Sequence, residues 1–301
     1  MIAFALSSYF TIHLFRKYVT LSRFWKKQKF AGQFKLLDRI GTGGMGTIYK
    51  AKSITHKSGE VAVKVLKEDL FAEERNRKRF KQEAAIVDQL DHPNIVKVFE
   101  RGESKQNSYI AMELLEGKTL AQKIAEAHEG KMDVQESVGI MTQVCDALRK
   151  MHSKNIVHRD LKPENIMLIR KDGNPNFVKL LDFGLAMTDY HSRLTRTGAI
   201  IGTINYISPE QIARSEFSAV SDIYSAGVVF YEMVTGIVPF RGETTIEIMK
   251  QIISETPIEP KHFRPEISPH INDLIMTMMS KDTGSRPTAE DVLKALGKPT
   301  N

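Results

Sequence analysis

The sequence predicts an α+β protein of two lobes, a small sheet-rich one followed by a larger, mostly helical one. Three observations carry this. Between residues 34 and 113 the apolar residues fall in short β-branched or aromatic runs broken by glycine, the texture of strands. After Gly117 they recur at helical spacing. A chain of 301 residues that is 42% hydrophobic and 26% charged has the composition of an ordinary globular protein with a core, which names no function.

Taken in order, Phe34 to Leu37, Thr47 to Lys50 and Val61 to Leu66 read as strands, and Glu73 to Leu90 as a charge-rich helix. Further strands are expected at Ile95 to Phe99 and Tyr109 to Glu113. Helices follow over Leu120 to His128, Ser137 to His152, Asp222 to Thr235, Thr245 to Ile253, Pro269 to Met279 and Ala289 to Leu296. Short extended pieces at Ile166 to Leu168 and Val178 to Leu180 interrupt them, joined by Lys171-Asp172-Gly173-Asn174 as a hairpin turn. The expected divisions are a tail over 1–33, a domain over 34–296 (small lobe 34–113, hinge 114–117, large lobe 118–296) and a short tail over 297–301.

A formal charge of +7 and a pI of about 9.3 would suit a nucleic-acid binder. The distribution argues against it. Arg16, Lys17, Arg23, Lys26, Lys27 and Lys29 all precede Phe30, where there is no Asp or Glu, and removing those six leaves +1 on the rest. The single cysteine, Cys145, permits no internal disulfide and fits a reducing cytosol; its position in an apolar helical run reads as packing.

Residues 158–165, His-Arg-Asp-Leu-Lys-Pro-Glu-Asn, pack a carboxylate (Asp160), an ammonium (Lys162) and a carboxamide (Asn165) together. That set suits a reaction that accepts a proton, neutralises phosphate charge and holds a metal: phosphoryl transfer. Gly41-Thr42-Gly43-Gly44-Met45-Gly46 lies between two expected strands. A dinucleotide-binding fingerprint opens a helix instead, so these glycines fit a hairpin whose backbone N–H groups close over phosphates. Lys64 ends Val61-Ala62-Val63, Glu83 begins an apolar helical stripe, and Asp182-Phe183-Gly184 follows the strand that ends at Leu181.

In this order the motifs resemble those of the eukaryotic-like (Hanks-type) Ser/Thr protein kinases, most of all the bacterial branch, over Phe34 to about Leu296. The resemblance implies the bilobal protein-kinase fold, with ATP and Mg²⁺ or Mn²⁺ as cofactors and Ser/Thr hydroxyls of proteins as acceptors. It assigns Asp160 as the base, Lys162 to the transferred phosphoryl group and Lys64, held by Glu83, to the ATP phosphates. Asn165 and Asp182 become metal ligands. Ile40, Gly41, Thr42, Gly43, Gly44, Met45, Gly46, Ile48, Ala62, Met112, Glu113 and Leu115 become nucleotide contacts, and His158 a packing residue. Ser208-Pro209-Glu210 corresponds to the family's A-P-E, with Arg286 as the ion-pair partner of Glu210 and Asp222 as a brace for the catalytic loop. Thr195 and Thr197 are candidate phosphorylation sites that Arg159 would grip, while Thr203 would stay unmodified near Asp160 and Lys162. Homodimers through the small lobe also follow from the resemblance.

Two other classes compete. A membrane-tethered pseudokinase scaffold is disfavoured because no catalytic position is substituted, and a small-molecule kinase because the activation and docking segment is intact. The tail has its own logic: Met1 to Phe15 carries no Lys, Arg, Asp or Glu, and basic residues follow it, which by the positive-inside rule places the remainder in the cytoplasm. At 1.5 Å per residue such a helix reaches roughly 22 Å, short of a bilayer core of roughly 30 Å, so it spans, lies on the inner membrane face, or hangs as a free tail. Deleting residues 1–29 separates these readings: an anchor predicts loss of the protein from sedimented membranes, and a free tail predicts equal partitioning of both forms.

Overall fold

The computed structural model describes residues 29–30, 34–43, 46–53, 59–67, 74, 90–103, 108–182 and 204–298. The expectations for residues 1–28, Gly44, Met45, Glu83 with nearly all of its helix, Phe183, Gly184 and Thr188 to Thr203 lie outside them. The described residues group into two compact units, one within Met1–Lys81 and Val98–Leu114, the other within Gln82–Lys97 and Leu115–Asn301.

The first unit is a sheet of six strands, β1 (Lys29–Phe30), β2 (Phe34–Thr42), β3 (Gly46–Ser53), β4 (Glu60–Leu66), β5 (Val98–Glu103) and β6 (Ser108–Met112), in the order β1-β2-β3-β4-β6-β5. All of its pairings are antiparallel. Alternation decides its faces. Val61, Val63 and Val65 turn into a core with Phe34, Leu36, Ala51, Tyr109 and Ala111, where Phe34 meets the Tyr109 ring edge-on at 5.7 Å. The period of two sends Ala62 and Lys64 to the opposite face. Ile48 pairs with Lys64 across the β3–β4 ladder and Met112 with Ala62 across β4–β6, so these four share that face.

The second unit is helical around a small sheet, β7 (Gly117–Thr119), β8 (Ile166–Lys171) and β9 (Asn174–Leu180). Its helices are α1 (Leu120–Glu126), α2 (Val134–His152), α3 (Pro209–Arg214), α4 (Ala219–Thr235), α5 (Thr245–Ser254), α6 (Pro260–Phe263), α7 (Pro269–Met278) and α8 (Ala289–Ala295). The long helices fall where periodicity puts them, but their starts move to their caps. Helix α2 begins three residues before Ser137 because Asp133 accepts the Glu136 N–H at 2.9 Å. Helix α4 begins before Asp222 because Ser218 and Ser221 form a capping box. Arg149, Lys150 and His152 in the last turn of α2 complement its dipole.

The expected β8–β9 turn forms, with Asp172 at φ 49° and Gly173 at φ 80°, the left-handed pair that a two-residue hairpin demands. One strand shifts. The run from Ile95 to Phe99 is a strand only from Val98, because its first half joins the end of β9: Leu180 donates to the Asn94 carbonyl at 2.8 Å and Val96 to the Leu180 carbonyl at 3.0 Å. The Asn94 amide adds a bond of 2.9 Å to the Val178 carbonyl.

The expected ion pair is present and dry. Arg286 donates to both oxygens of Glu210, at 2.7 and 2.8 Å, and the Ser221 hydroxyl adds a third bond at 2.7 Å. Burial alone would raise the Glu210 pKa, but these donors outweigh it and hold the carboxyl at about 2, against an ordinary 4.5. A depressed carboxyl contributes stability that is present above its unfolded pKa and is lost as pH falls through the folded one. Part of the urea-unfolding midpoint should therefore be lost between about pH 5 and pH 2. Arg286→Ala should remove that part of the slope and cost about 3–5 kcal/mol at neutral pH, measured by urea denaturation, since it strands a buried charge.

Candidate functional site: the loop from His158 to Asn165

The loop lies between α2 and β8, and its shape comes from one carboxylate. Asp222 in α4 is 1% exposed. Its Oδ2 accepts the His158 N–H at 2.8 Å and meets His152 Nε2 at 2.9 Å, while its Oδ1 accepts the Arg159 N–H at 2.9 Å. Two successive amides are thus held toward one group, and Arg159 takes the left-handed φ of 71°. That conformation costs an L-residue roughly 1–3 kcal/mol and persists where the surroundings over-determine it.

His158 is fully buried, with Nε2 3.1 Å from the Leu181 carbonyl. Desolvation lowers its pKa, so it stays neutral and serves as packing. Leu181 is tied to the loop a second time, donating its N–H to the Asn165 carbonyl at 2.9 Å. Asp182 follows directly, with φ 43°.

Within the loop the polar groups converge on Asp160. Lys162 Nζ lies 3.0 and 2.9 Å from its two carboxylate oxygens. Asn165 Nδ2 donates to its carbonyl at 2.7 Å and to Oδ2 at 2.9 Å, which turns the Asn165 amide oxygen away from Asp160. A short 3₁₀ turn, Pro163–Asn165, delivers Asn165 to this place. The carboxylate is fixed yet accessible, at 22% side-chain exposure. Arg159 stacks its guanidinium 5.6 Å from the Phe217 ring centroid. His152, the main chain of Leu181 and Phe217 are supports that the sequence reading missed. Two act through main chain or ring faces and leave no sequence signal, but His152 on the helix leading into the loop could have been suspected.

Asn165 and Asp182 offer hard oxygen donors of the kind Mg²⁺ or Mn²⁺ takes. Among the described residues no group of three or more His, Cys, Asp or Glu could hold a metal by itself.

In the first unit, Ile40 is exposed, and Gly41, Thr42, Gly43 and Gly46 form the end of the β2–β3 hairpin, closed by a bond of 2.8 Å from Gly43 N–H to the Gly46 carbonyl. A Cβ at Gly46 would sit 2.6 Å from the Val65 carbonyl oxygen, so only glycine allows this approach. Lys64 is 6% exposed. Met112 ends β6, and Glu113 and Leu115 follow it outside any strand or helix.

Comparison with known proteins accords with this geometry. A family model described as the protein kinase domain matches residues 34–296, and the chain belongs to that family. It is similar to the serine/threonine-protein kinase Pkn3 of Myxococcus xanthus, 36% identical over 272 residues that cover 88% of this chain and 49% of that protein. It is also similar to the serine/threonine-protein kinase PrkC of Bacillus subtilis, 37% identical over 267 residues, 88% of this chain and 40% of the other. The chain thus spans half or less of the length of these curated relatives. Among solved structures, Rad53 residues 1–466 in complex with AMP-PNP superposes with a TM-score of 0.72 at 30% identity, covering 89% of this chain and 66% of that one. The fold is the protein-kinase fold.

Replacing Asp222 with Ala should strand two buried amide N–H groups and cost about 3 kcal/mol, measured by urea denaturation. Asp222→Asn, which keeps one oxygen acceptor, should cost less.

Proposed function

We propose that this chain is an ATP-dependent serine/threonine protein kinase that also phosphorylates its own activation segment. The observation that carries the reading is the carboxylate of Asp160, accessible and held between Lys162 and Asn165 on a braced loop. The acceptor hydroxyl oxygen attacks the γ-phosphorus of ATP, the bond to the β–γ bridging oxygen breaks, and ADP leaves. The hydroxyl proton passes to Asp160, which also orients the nucleophile. Lys162, already beside Asp160, neutralises charge on the phosphoryl group in transit. Serine/threonine specificity is supported by Lys162-Pro163-Glu164 and by the relatives' names.

Asn165 and Asp182 would hold Mg²⁺ or Mn²⁺, which when bound offsets the negative charge of the phosphates. Lys64 with Glu83 and the glycine hairpin would bind the nucleotide, and the shared face of Ile48, Ala62, Lys64 and Met112 supports placing its base and phosphates there. Arg159 would bind a phosphate on Thr195 or Thr197. Two finer parts of the reading, membrane association of residues 1–29 and pairing of copies through the first unit, rest on the tail's charge pattern and on family resemblance alone. Among the described residues no helix is long and apolar enough to cross a membrane.

Incubation with labelled ATP and Mg²⁺, followed by phosphosite mapping, tests the reading. Label should appear on Ser and Thr only, including Thr195 or Thr197. Asp160→Asn and Lys64→Met should each lower the rate about 10²–10⁴-fold with the melting temperature unchanged. Robust activity in Asp160→Asn would sink the assignment of the base.

A further inference from the structure

Away from the loop, the second unit holds a cavity of about 420 Å³. Its lining includes the apolar side chains of Pro257, Met276 and Met279 together with the polar ones of Thr256, Ser280 and Lys281, and Thr277 and Ser285 complete it. Lys281 leaves the end of α7 and is only partly exposed. Its ammonium donates to the Ile252 carbonyl in the last turn of α5 and lies over the rings of Phe240 at 4.2 Å and Tyr224 at 5.8 Å.

No carboxylate of the described residues forms an ion pair with Lys281, and the neighbouring cation, Arg286, is already committed to Glu210. We propose that this cavity binds a small amphiphilic carboxylate, its charged end on Lys281 and its apolar body against Pro257, Met276 and Met279.

Several observations choose that class of ligand. An ammonium carries three protons; the Ile252 carbonyl takes one and the Phe240 ring face covers another direction, so a remaining proton can meet a carboxylate oxygen. Burial, followed by the charge of Arg286, holds the Lys281 pKa down to about 8, against the weaker opposing pull of Glu255. The ammonium is therefore under-stabilised and gains from an anion. The Thr277 and Ser285 hydroxyls already donate to the Asp273 carbonyl and the Asp282 carboxylate, at 2.7 Å each. The Ser280 and Thr256 hydroxyls have no partner among the described residues and can serve the same anionic end. A single ammonium balances a monoanion, whereas a phosphate dianion would ask for a guanidinium fork or a nest of amides. The volume lies within the range of small-molecule sites, and two methionine side chains adapt to an alkyl body.

Octanoate and its neutral counterpart 1-octanol, titrated into the full-length chain by calorimetry, test the proposal. Octanoate should bind at one saturable site, about tenfold or more tighter than 1-octanol. Lys281→Met should remove that advantage and Lys281→Arg retain it. In protein labelled at the methionine methyls, octanoate should shift the Met276 and Met279 signals, a readout on the wild type that does not depend on either variant folding. Equal binding of octanoate and 1-octanol, undiminished octanoate binding in Lys281→Met, or unmoved Met276 and Met279 signals would each overturn it.

Discussion

Asp222 is the constraint on which the site depends. A carboxylate almost fully removed from water must find donors, and it finds two consecutive loop amides and an imidazole. Those bonds turn the chain at Arg159 through a conformation it would otherwise avoid. Once the turn is set, Asp160, Lys162 and Asn165 have little freedom in where they emerge. The brace comes from α4, nearly all of whose residues are buried, so the loop is held by a helix of the unit's core.

A second anchoring works from the other side. Leu181 gives its N–H to Asn165 and its carbonyl to His158, and the residue before it is bonded to Asn94 and Val96. The end of β9 is thereby fixed to the loop and to the turn at His92 to Ile95, and Asp182 follows directly on Leu181, whose N–H is bonded to Asn165. The lowered pKa of His158 belongs to the same scheme: burial outweighs the pull of the Leu181 carbonyl and of the nearby carboxylates toward the charged form.

Much of this was legible in the sequence, and the rest was hidden for physical reasons. Long helices were visible because periodicity is a tertiary signal written locally, whereas their first turns depend on single caps such as Asp133 and Ser218, which periodicity does not register. The β8–β9 turn was visible because Asp-Gly supports left-handed backbone. The run from Ile95 to Phe99 misled because β-branched residues suit any extended segment, and alternation cannot say that Asn94 and Val96 will spend their main-chain groups on β9 rather than on a sheet neighbour. In the loop the side chains could be named from the sequence, but Leu181 acts through its peptide and Phe217 through its ring face.

The pair of Glu210 and Arg286 joins positions 76 residues apart in a dry interior. Neither partner can change alone without leaving a bare charge, and an apolar pair in their place would have to do without the bonds that Ser221, Val220 and Ser280 make to them. These two positions therefore form a ratchet for sequence drift: the route between a charged and an apolar solution runs through intermediates less stable than either, and the chain is held in the charged state by the depth of that valley.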